Sequence, residues 1–363
     1  MKIQVEQKDL AALLSRVVST VEKRNVIPIL ANVLLSTDEG IITVTATDLD
    51  MAVRSQCAAT IEKHGAVTFN AAMAASIVGK LPKGRLITIS YDDRNVTIAS
   101  GSASFDLASL PADEFPELAN AEYQSGFTAP AADLKRLLDL SAFAMSTEQT
   151  RYYLCGVYMH PNDQGMVRAV TTDGHRLARI DSCIEAEFPG VILPSKFVAE
   201  LRKQLSDGDV IVSVSTSKIK FDMGDTVLTT KVIDGVFPDY TRVIPQNNHI
   251  VVTADAEDMK AASDLVALVS GERTKGVRMA FKDGQCDMEV NGANNEKGKE
   301  SVAINKEGDD IVIGLNSRYA ADVLSHVIGD EVVMRFGGSG DPCVVQPVDD
   351  PSALWVIMPM RVV

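Results

Sequence analysis

Thr171-Thr172-Asp173-Gly174-His175-Arg176-Leu177-Ala178 lies near the middle of the chain, between two apolar runs. An Asp-Gly pair flanked by β-rich segments is the commonest short signal for a tight turn. The stretch therefore reads as a strand, ending at Val170, that turns and continues. Its Thr-Asp pair has a counterpart 125 residues earlier at Thr47-Asp48, and Asn291 follows 118 residues after Asp173.

Other landmarks keep the same step. Leu10, Leu13, Leu14, Val17 and Val18 mark an amphipathic helix over Val5 to Val21. The pattern recurs over Asp133 to Met145 (Leu134, Leu137, Leu138, Ala142) and over Asp258 to Val269 (Met259, Ala262, Leu265, Val266). Asp9, Asp133 and Asp258 head these helices at intervals of 124 and 125 residues. Strands follow each: Ile29 to Leu35 and Ile41 to Thr47, then Tyr152 to Met159 and Val167 to Thr172, then Gly276 to Phe281 and Cys286 to Asn291. Second helices are expected at Ala71 to Leu81, Ser195 to Leu205 and Ser317 to Ile328, with alternating strand patterns after them. Phe115-Pro116 and Phe237-Pro238 are 122 residues apart, and Met358-Pro359 comes 121 later. One α+β unit is thus written three times, as domains 1–124, 125–246 and 247–363. Each is expected to hold two helices and antiparallel sheets, since short turns favour hairpins over parallel crossovers. Three rigid units in tandem do not readily close on themselves, so a head-to-tail dimer forming a six-domain ring is expected. Twelve helices lining it at ~10 Å each would leave a hole of roughly 28 Å, wide enough for duplex DNA.

With 363 residues, 46% hydrophobic and 23% charged, the composition is that of an ordinary globular protein. No apolar run reaches the ~20 residues of a membrane span, and the N-terminus lacks a signal-peptide core, so a cytoplasmic protein is expected. The five cysteines are scattered and never in C-x-x-C spacing, and the five histidines form no ligand pattern. No disulfide framework, metal or cofactor is expected. A net charge of −14 weakens a nucleic-acid reading without removing it, because the charge is a sum over all faces. Cations gather on or beside the helices (Arg16, Lys23, Arg24, Lys80, Lys83, Arg85, Lys135, Arg136, Lys196, Arg202, Lys203), while acids are expected in strands and loops. Most of these cations would be solvated, yet the arrangement suits a ring that attracts phosphates without reading bases.

Asp173 and His175 could form a general-base pair, but adjacent turn residues seldom face each other and no nucleophile motif accompanies them. A plain turn and the rim of a binding pocket compete for this stretch. Gly79-Lys80-Leu81-Pro82-Lys83-Gly84-Arg85-Leu86 misses a phosphate loop: Arg85 and Leu86 stand where Lys and Ser/Thr are needed. The apolar C-terminus, Ala353 to Val363, suggests a shallow groove with adaptable methionines.

Over its full length the chain resembles the β subunit of bacterial DNA polymerase III, the sliding-clamp family. The carriers are Ile27-Pro28-Ile29-Leu30, Thr47-Asp48-Leu49, Arg151-Tyr152-Tyr153-Leu154, Thr172 to Leu177, Phe237-Pro238-Asp239-Tyr240, Gly276-Val277-Arg278 and Met358-Pro359-Met360-Arg361. The resemblance implies a ring-shaped homodimer linked to double-stranded DNA, a processivity factor and not an enzyme. It implies partners (the polymerase III α subunit, the clamp loader, other polymerases, repair proteins) that dock short linear peptides between the second and third domains. By position, the groove would use Leu154, Thr172, Gly174, His175, Arg176 and Leu177 from the second domain's core. Pro238, Arg242 and Val243 would come from the linker. Asn316, Tyr319, Pro342, Val356, Met358, Pro359, Met360 and Arg361 would come from the third domain. The family points to Arg24, Gln149, Tyr152 and Tyr153 for DNA, and to Phe105 and Leu107 against Leu268 and Val269 for the dimer. Basic residues that some relatives carry near Phe105 are replaced by Ser102, Ala103 and Ser104, so the apolar contact must carry more of the interface. The competing readings are a hydrolase using Asp173 and His175, and a three-domain scaffold that never meets DNA.

Overall fold

The computed structural model describes residues 1–21, 26–116, 118, 121–269, 276–282, 284–292 and 296–361. The element order repeats. The first domain runs β1 Lys2–Glu6, α1 Gln7–Val18, β2 Asn32–Asp38, β3 Ile41–Thr47, β4 Met51–Ala58, β5 Thr60–Lys63, β6 Ala66–Asn70, α2 Ala71–Lys80, β7 Leu86–Tyr91, β8 Asn95–Ser100 and β9 Ala103–Ala108. The second runs β10 Ser125–Pro130, α3 Ala131–Ser141, β11 Gly156–Pro161, β12 Met166–Thr172, β13 Arg176–Glu185, β14 Val191–Pro194, α4 Ser195–Gln204, β15 Asp209–Val214, β16 Lys218–Asp222 and β17 Thr226–Lys231. The third runs β18 Ile250–Asp255, α5 Ala256–Ala267, β19 Gly276–Lys282, β20 Gln285–Asn291, β21 Lys297–Ala303, β22 Asn305–Glu307, β23 Ile311–Asn316, α6 Ser317–Leu324, β24 Glu331–Phe336, β25 Cys343–Pro347 and β26 Ala353–Ile357. Every strand pair is antiparallel among the described residues.

The periodicities place the helices well and their ends less well. On α1 the spacing of Leu10, Leu13, Leu14 and Val17 turns all four into the core. Each fully buried leucine contributes about 2 kcal/mol by removal from water. The helices begin two residues before Asp9, Asp133 and Asp258, so those acids sit in the first turn, where the helix dipole favours them. At α5 the cap is Asp255, whose carboxylate accepts from the Asp258 amide at 2.9 Å. Two expected strands start differently: Pro28–Ala31 and Gln149–Leu154 are 3-10 turns that lead into β2 and β11. Proline at the first position pre-sets the first of these turns. The helix expected to reach Ile328 stops at Leu324.

Two compact units hold the chain. The first comprises residues 1–135, 187–189 and 196–232; the second comprises 136–186, 190–195 and 233–363. The repeats outnumber the units because the sheets run across repeat borders. In unit one, β10-β15-β16-β17 joins β4-β3-β2-β6 in one eight-stranded sheet through the β17–β4 pair, with Leu228 opposite Val53. In unit two, β14-β11-β12-β13 joins β26-β25-β24-β18-β22 through the β13–β26 pair, with Trp355 opposite Ala178. Trp355 is fully buried and its indole donates to the Leu140 carbonyl at 3.0 Å. A five-stranded sheet, β5-β1-β7-β8-β9, and a four-stranded sheet, β21-β20-β19-β23, complete the units.

Candidate functional site

The Asp173 turn forms as its sequence demands. The Asp173 carboxylate accepts from the amides of His175 and Arg176 at 2.8 and 3.0 Å, and Gly174 takes φ +88°, where a β-carbon would be strained. Thr172 closes the turn, its hydroxyl donating to the Arg176 carbonyl at 2.7 Å. Asp173 is thereby used up as a turn acceptor. The His175 ring stands 4.0 Å from it, beyond hydrogen-bond reach, and is 64% exposed. That geometry makes no hydrogen bond between the two.

Arg176 points inward. Its guanidinium donates to Asp173 at 3.1 Å, to Asp322 on α6 and to the Phe143 carbonyl at 2.7 Å. It also lies 4.5 Å from the Tyr319 ring centroid and 5.2 Å from that of Phe143. With its side chain 12% exposed, Arg176 ties the turn to α6 and offers little to a ligand. Asn316 caps α6 by accepting from the amides of Arg318 and Tyr319, and burial raises the Tyr319 phenol above its ordinary pKa.

Beside the turn lies an apolar floor. Leu154, Leu177 and Val356 are buried with Val170, Ile192, Phe237, Tyr240, Ile244, Val344 and Leu354 in one cluster. Leu177 and Val356 face each other across the β13–β26 pair. The linker after Phe237 is held over this floor by stacking and a buried polar network. Tyr158 stacks on Phe237 at 4.9 Å, and Arg168 donates to the Tyr240 hydroxyl at 3.0 Å while chelating Asp181. His160 reaches the same hydroxyl at 3.1 Å, and burial holds its pKa below the usual imidazole value. Desolvation disfavours the imidazolium more than neighbouring carboxylates favour it.

A cavity of about 450 Å³ opens beside the linker, lined by Arg242, Val243, Pro342 and Met358 together with Pro245, Gln246, Asn247, Asn248, Gly337 and Asp341. The last six were not anticipated. The polar run Gln246-Asn247-Asn248 after a proline was the available signal. Asn248 donates to the carbonyls of Arg335 and Pro342 at 2.9 Å each, fixing the far wall. Pro238 is exposed. The C-terminal segment leaves β26 and is pinned twice: the Met358 amide donates to the His175 carbonyl and the Met360 amide to the Gly314 carbonyl, both at 2.8 Å. Met358 and Met360 are each 37% exposed; Pro359 is half-buried and Arg361 exposed.

Gln149 is exposed, and Tyr152, 50% exposed, meets Tyr153 edge to face at 5.7 Å. Arg24 lies outside the described residues, as does Lys23. Four of the cations expected to line the helices are paired with acids: Arg16 with Asp225 at 2.6 Å, Lys196 with Asp48 at 2.5 Å, Lys203 with Glu200 at 3.1 Å and Arg136 with Asp350. Lys83 and Arg85 fall beyond the end of α2. Nor are acids confined to strands and loops, because α5 carries Glu257, Asp258 and Asp264 against Lys260 alone. Phe105 is 41% and Leu268 81% exposed, Val269 is half-buried, and Leu107 is already buried within the single chain, opposite Val96.

Among the described residues no cluster suits a metal ion. Burial pushes the thiols of Cys57 and Cys286 up to about 11 and about 12, and that of Cys343 higher still, which makes them poor nucleophiles. No helix of the described residues is long and apolar enough to cross a membrane.

Three family models tile the chain: the N-terminal, central and C-terminal domains of the DNA polymerase III beta subunit match residues 1–119, 128–239 and 241–361. The chain belongs to the DNA polymerase III beta subunit family. It is 38% identical to the beta sliding clamp of Caulobacter vibrioides, with the whole of each chain covered. It is 34% identical to that of Escherichia coli strain K12, over 99% of this chain and all of the relative. Among solved structures, a Bartonella birtlesii sliding clamp bound to griselimycin superposes with a TM-score of 0.96 at 38% identity, covering both chains completely. A Pseudomonas aeruginosa clamp with ligand gives 0.94 at 30% identity, again covering both. The function is that of a sliding clamp, a replication processivity factor and not an enzyme, built from three clamp domains.

Proposed function

We propose that two copies close head to tail around duplex DNA in the cytoplasm and tether polymerases, the clamp loader and repair proteins by their linear peptides, with domain borders near residues 124 and 246. The observation that carries the docking reading is the open cavity lined by Val243, Pro342 and Met358, with the buried apolar cluster of Leu154, Leu177 and Val356 in the same unit. A cavity that mixes apolar Val243, Pro342 and Met358 with polar Arg242 and Asn247 suits a short segment that buries one or two apolar side chains. Thr172, Gly174, Asn316 and Tyr319 hold the walls in place, and Met360 and Arg361 extend the groove along the C-terminal segment.

Two edges support the dimer. Among the described residues β9 and β21 each pair on one side only, and exposed edges invite a partner strand. Phe105 protrudes from β9, while a cavity of about 290 Å³ lies between α5 and β21, lined by Leu265, Val302, Asp258 and Glu300. For DNA, the exposed Gln149 and Tyr152, with Tyr153 behind them and Arg24, are the proposed contacts. Loading onto nicked circular DNA should give a complex that stays bound until the circle is linearised. Release from the intact circle at the same rate as from linear DNA would overturn the reading.

A further inference from the structure

A cleft of about 540 Å³ lies in unit one, on one face of the eight-stranded sheet, and the contacts proposed above leave it unused. Its size is that of a binding cleft. Strand register lays out its floor. Leu34 on β2 faces Thr45 on β3, Thr45 faces Arg54 on β4, and Arg54 faces Val227 on β17. Two residues along β17, Thr229 faces Lys220 on β16. Side chains alternate along a strand, so Leu35, Val44, Val53 and Leu228 are buried on the other face. Arg16 of α1 donates to Ser55 on that face at 3.3 Å. The cleft therefore lies away from the helices, which the proposed ring turns to DNA.

Its charge is opposite to that of the whole chain. Against a net charge of −14, the described lining holds Arg54 and Lys220 and no acid. Asp222, beside Val227 on the same face, is held by its own turn and accepts from the Gly224 amide at 3.0 Å. Lys220 lies 5.3 Å from the Tyr123 ring centroid, and the Tyr123 hydroxyl is hydrogen-bonded to Thr229. At the other end Leu34 packs on Phe115. With strands ~4.8 Å apart, Leu34 and Arg54 stand about 10 Å from each other, and Arg54 and Lys220 about 12 Å. A single phosphate or carboxylate spans neither gap. An extended chain, at about 3.3 Å per residue, covers each in three or four residues.

We propose that this cleft docks an acidic linear segment of a partner protein. One apolar side chain of the segment lies against Leu34 and Phe115, and two carboxylates, three or four residues apart, meet Arg54 and Lys220. The acidic surface elsewhere repels such a segment, which directs it to this cleft.

Fluorescence anisotropy at fixed ionic strength tests this with three probes. They are a labelled nonapeptide with leucine at its second position and glutamates at its fifth and eighth, the same peptide with lysines for the glutamates, and inorganic phosphate as competitor. The acidic peptide should bind and the lysine peptide should not. Arg54→Glu and Lys220→Glu should each weaken binding about five-fold at unchanged melting temperature. Together they should cost about 25-fold, because residues that far apart act independently. A chain ended at Ile357 should bind the acidic peptide as the parent does. No binding, equal binding of both peptides, or loss of binding with the tail would overturn the site. Losses that fail to add, with phosphate displacing the peptide, would put one small anion across both cations and overturn the peptide occupant. Should either reversal melt early, Arg54→Gln and Lys220→Gln should still each weaken binding about two-fold; no loss there would overturn the proposal.

Discussion

The two seams within the chain make a controlled comparison. In unit two, the outward pair next to the central aromatic is Leu177 with Val356; in unit one, the equivalent pair is Ala52 with Thr229. Each lies under a segment that begins Phe-Pro, Phe237-Pro238 and Phe115-Pro116. Yet the unit-one cleft, about 540 Å³, mixes Ser36, Thr43, Thr45, Thr229, Arg54 and Lys220 with Leu34, Ala52, Phe115, Leu118 and Val227, and Lys220 lies 5.3 Å from the Tyr123 ring centroid. The unit-two floor is a continuous apolar cluster. The backbone solution is shared, and the side chains of the equivalent strand pair differ. Hydroxyls and cations keep their water; leucine and valine gain by losing it.

The comparison breaks first at Leu177. Leu177→Ala should cost about 3 kcal/mol of stability in denaturant titration, since it empties a packed site, whereas Ala52→Gly at the equivalent position should cost under about 1 kcal/mol. Equal losses would show that the floors are packed alike. Next comes the tail. Ending the chain at Ile357 removes Met358 and Met360 and should lower peptide affinity roughly 100-fold by fluorescence anisotropy. The dimer should be intact by light scattering; a monomer would show that the tail serves closure as well.

Arg176→Ala should cost about 2 kcal/mol of stability, because it leaves the Phe143 carbonyl and the Asp322 carboxylate without their donor. Peptide affinity should fall only as far as the loosened turn allows. A large affinity loss at unchanged stability would mean that Arg176 meets the ligand after all. The smallest effect is expected from His160. Its folded pKa lies below the ordinary value of 6.5, so the unfolded chain binds the proton first. Stability present above pH 6.5 should therefore decline as pH falls through that value towards the folded pKa, then level off. In His160→Gln this part of the acid loss should vanish from the melting temperature measured against pH.

Much of this was legible beforehand. The six α-helices among the described residues were all located, and the Thr-Asp and Phe-Pro landmarks with their counterparts Asn291 and Met358-Pro359 gave three repeats, because helical and turn signals depend on neighbours a few residues apart. The helix ends and the 3-10 starts at Pro28 and Gln149 were not legible, since caps depend on local hydrogen bonds that several residue types can supply. The groove residues were named through family likeness. Three dimensions added that Arg176 turns inward, that Leu107 is buried and that four of the helix cations are paired.

The sequence by itself determined the repeat, the turn at Asp173 and the apolar character of Leu177, Val356 and the C-terminal segment. Tertiary structure alone decided that Leu177 lies against Val356, 179 residues further along the chain, and that among the described residues β9 and β21 each pair on one side only. Pairing between distant strands is set by packing of whole faces, and no local signal in either strand carries it.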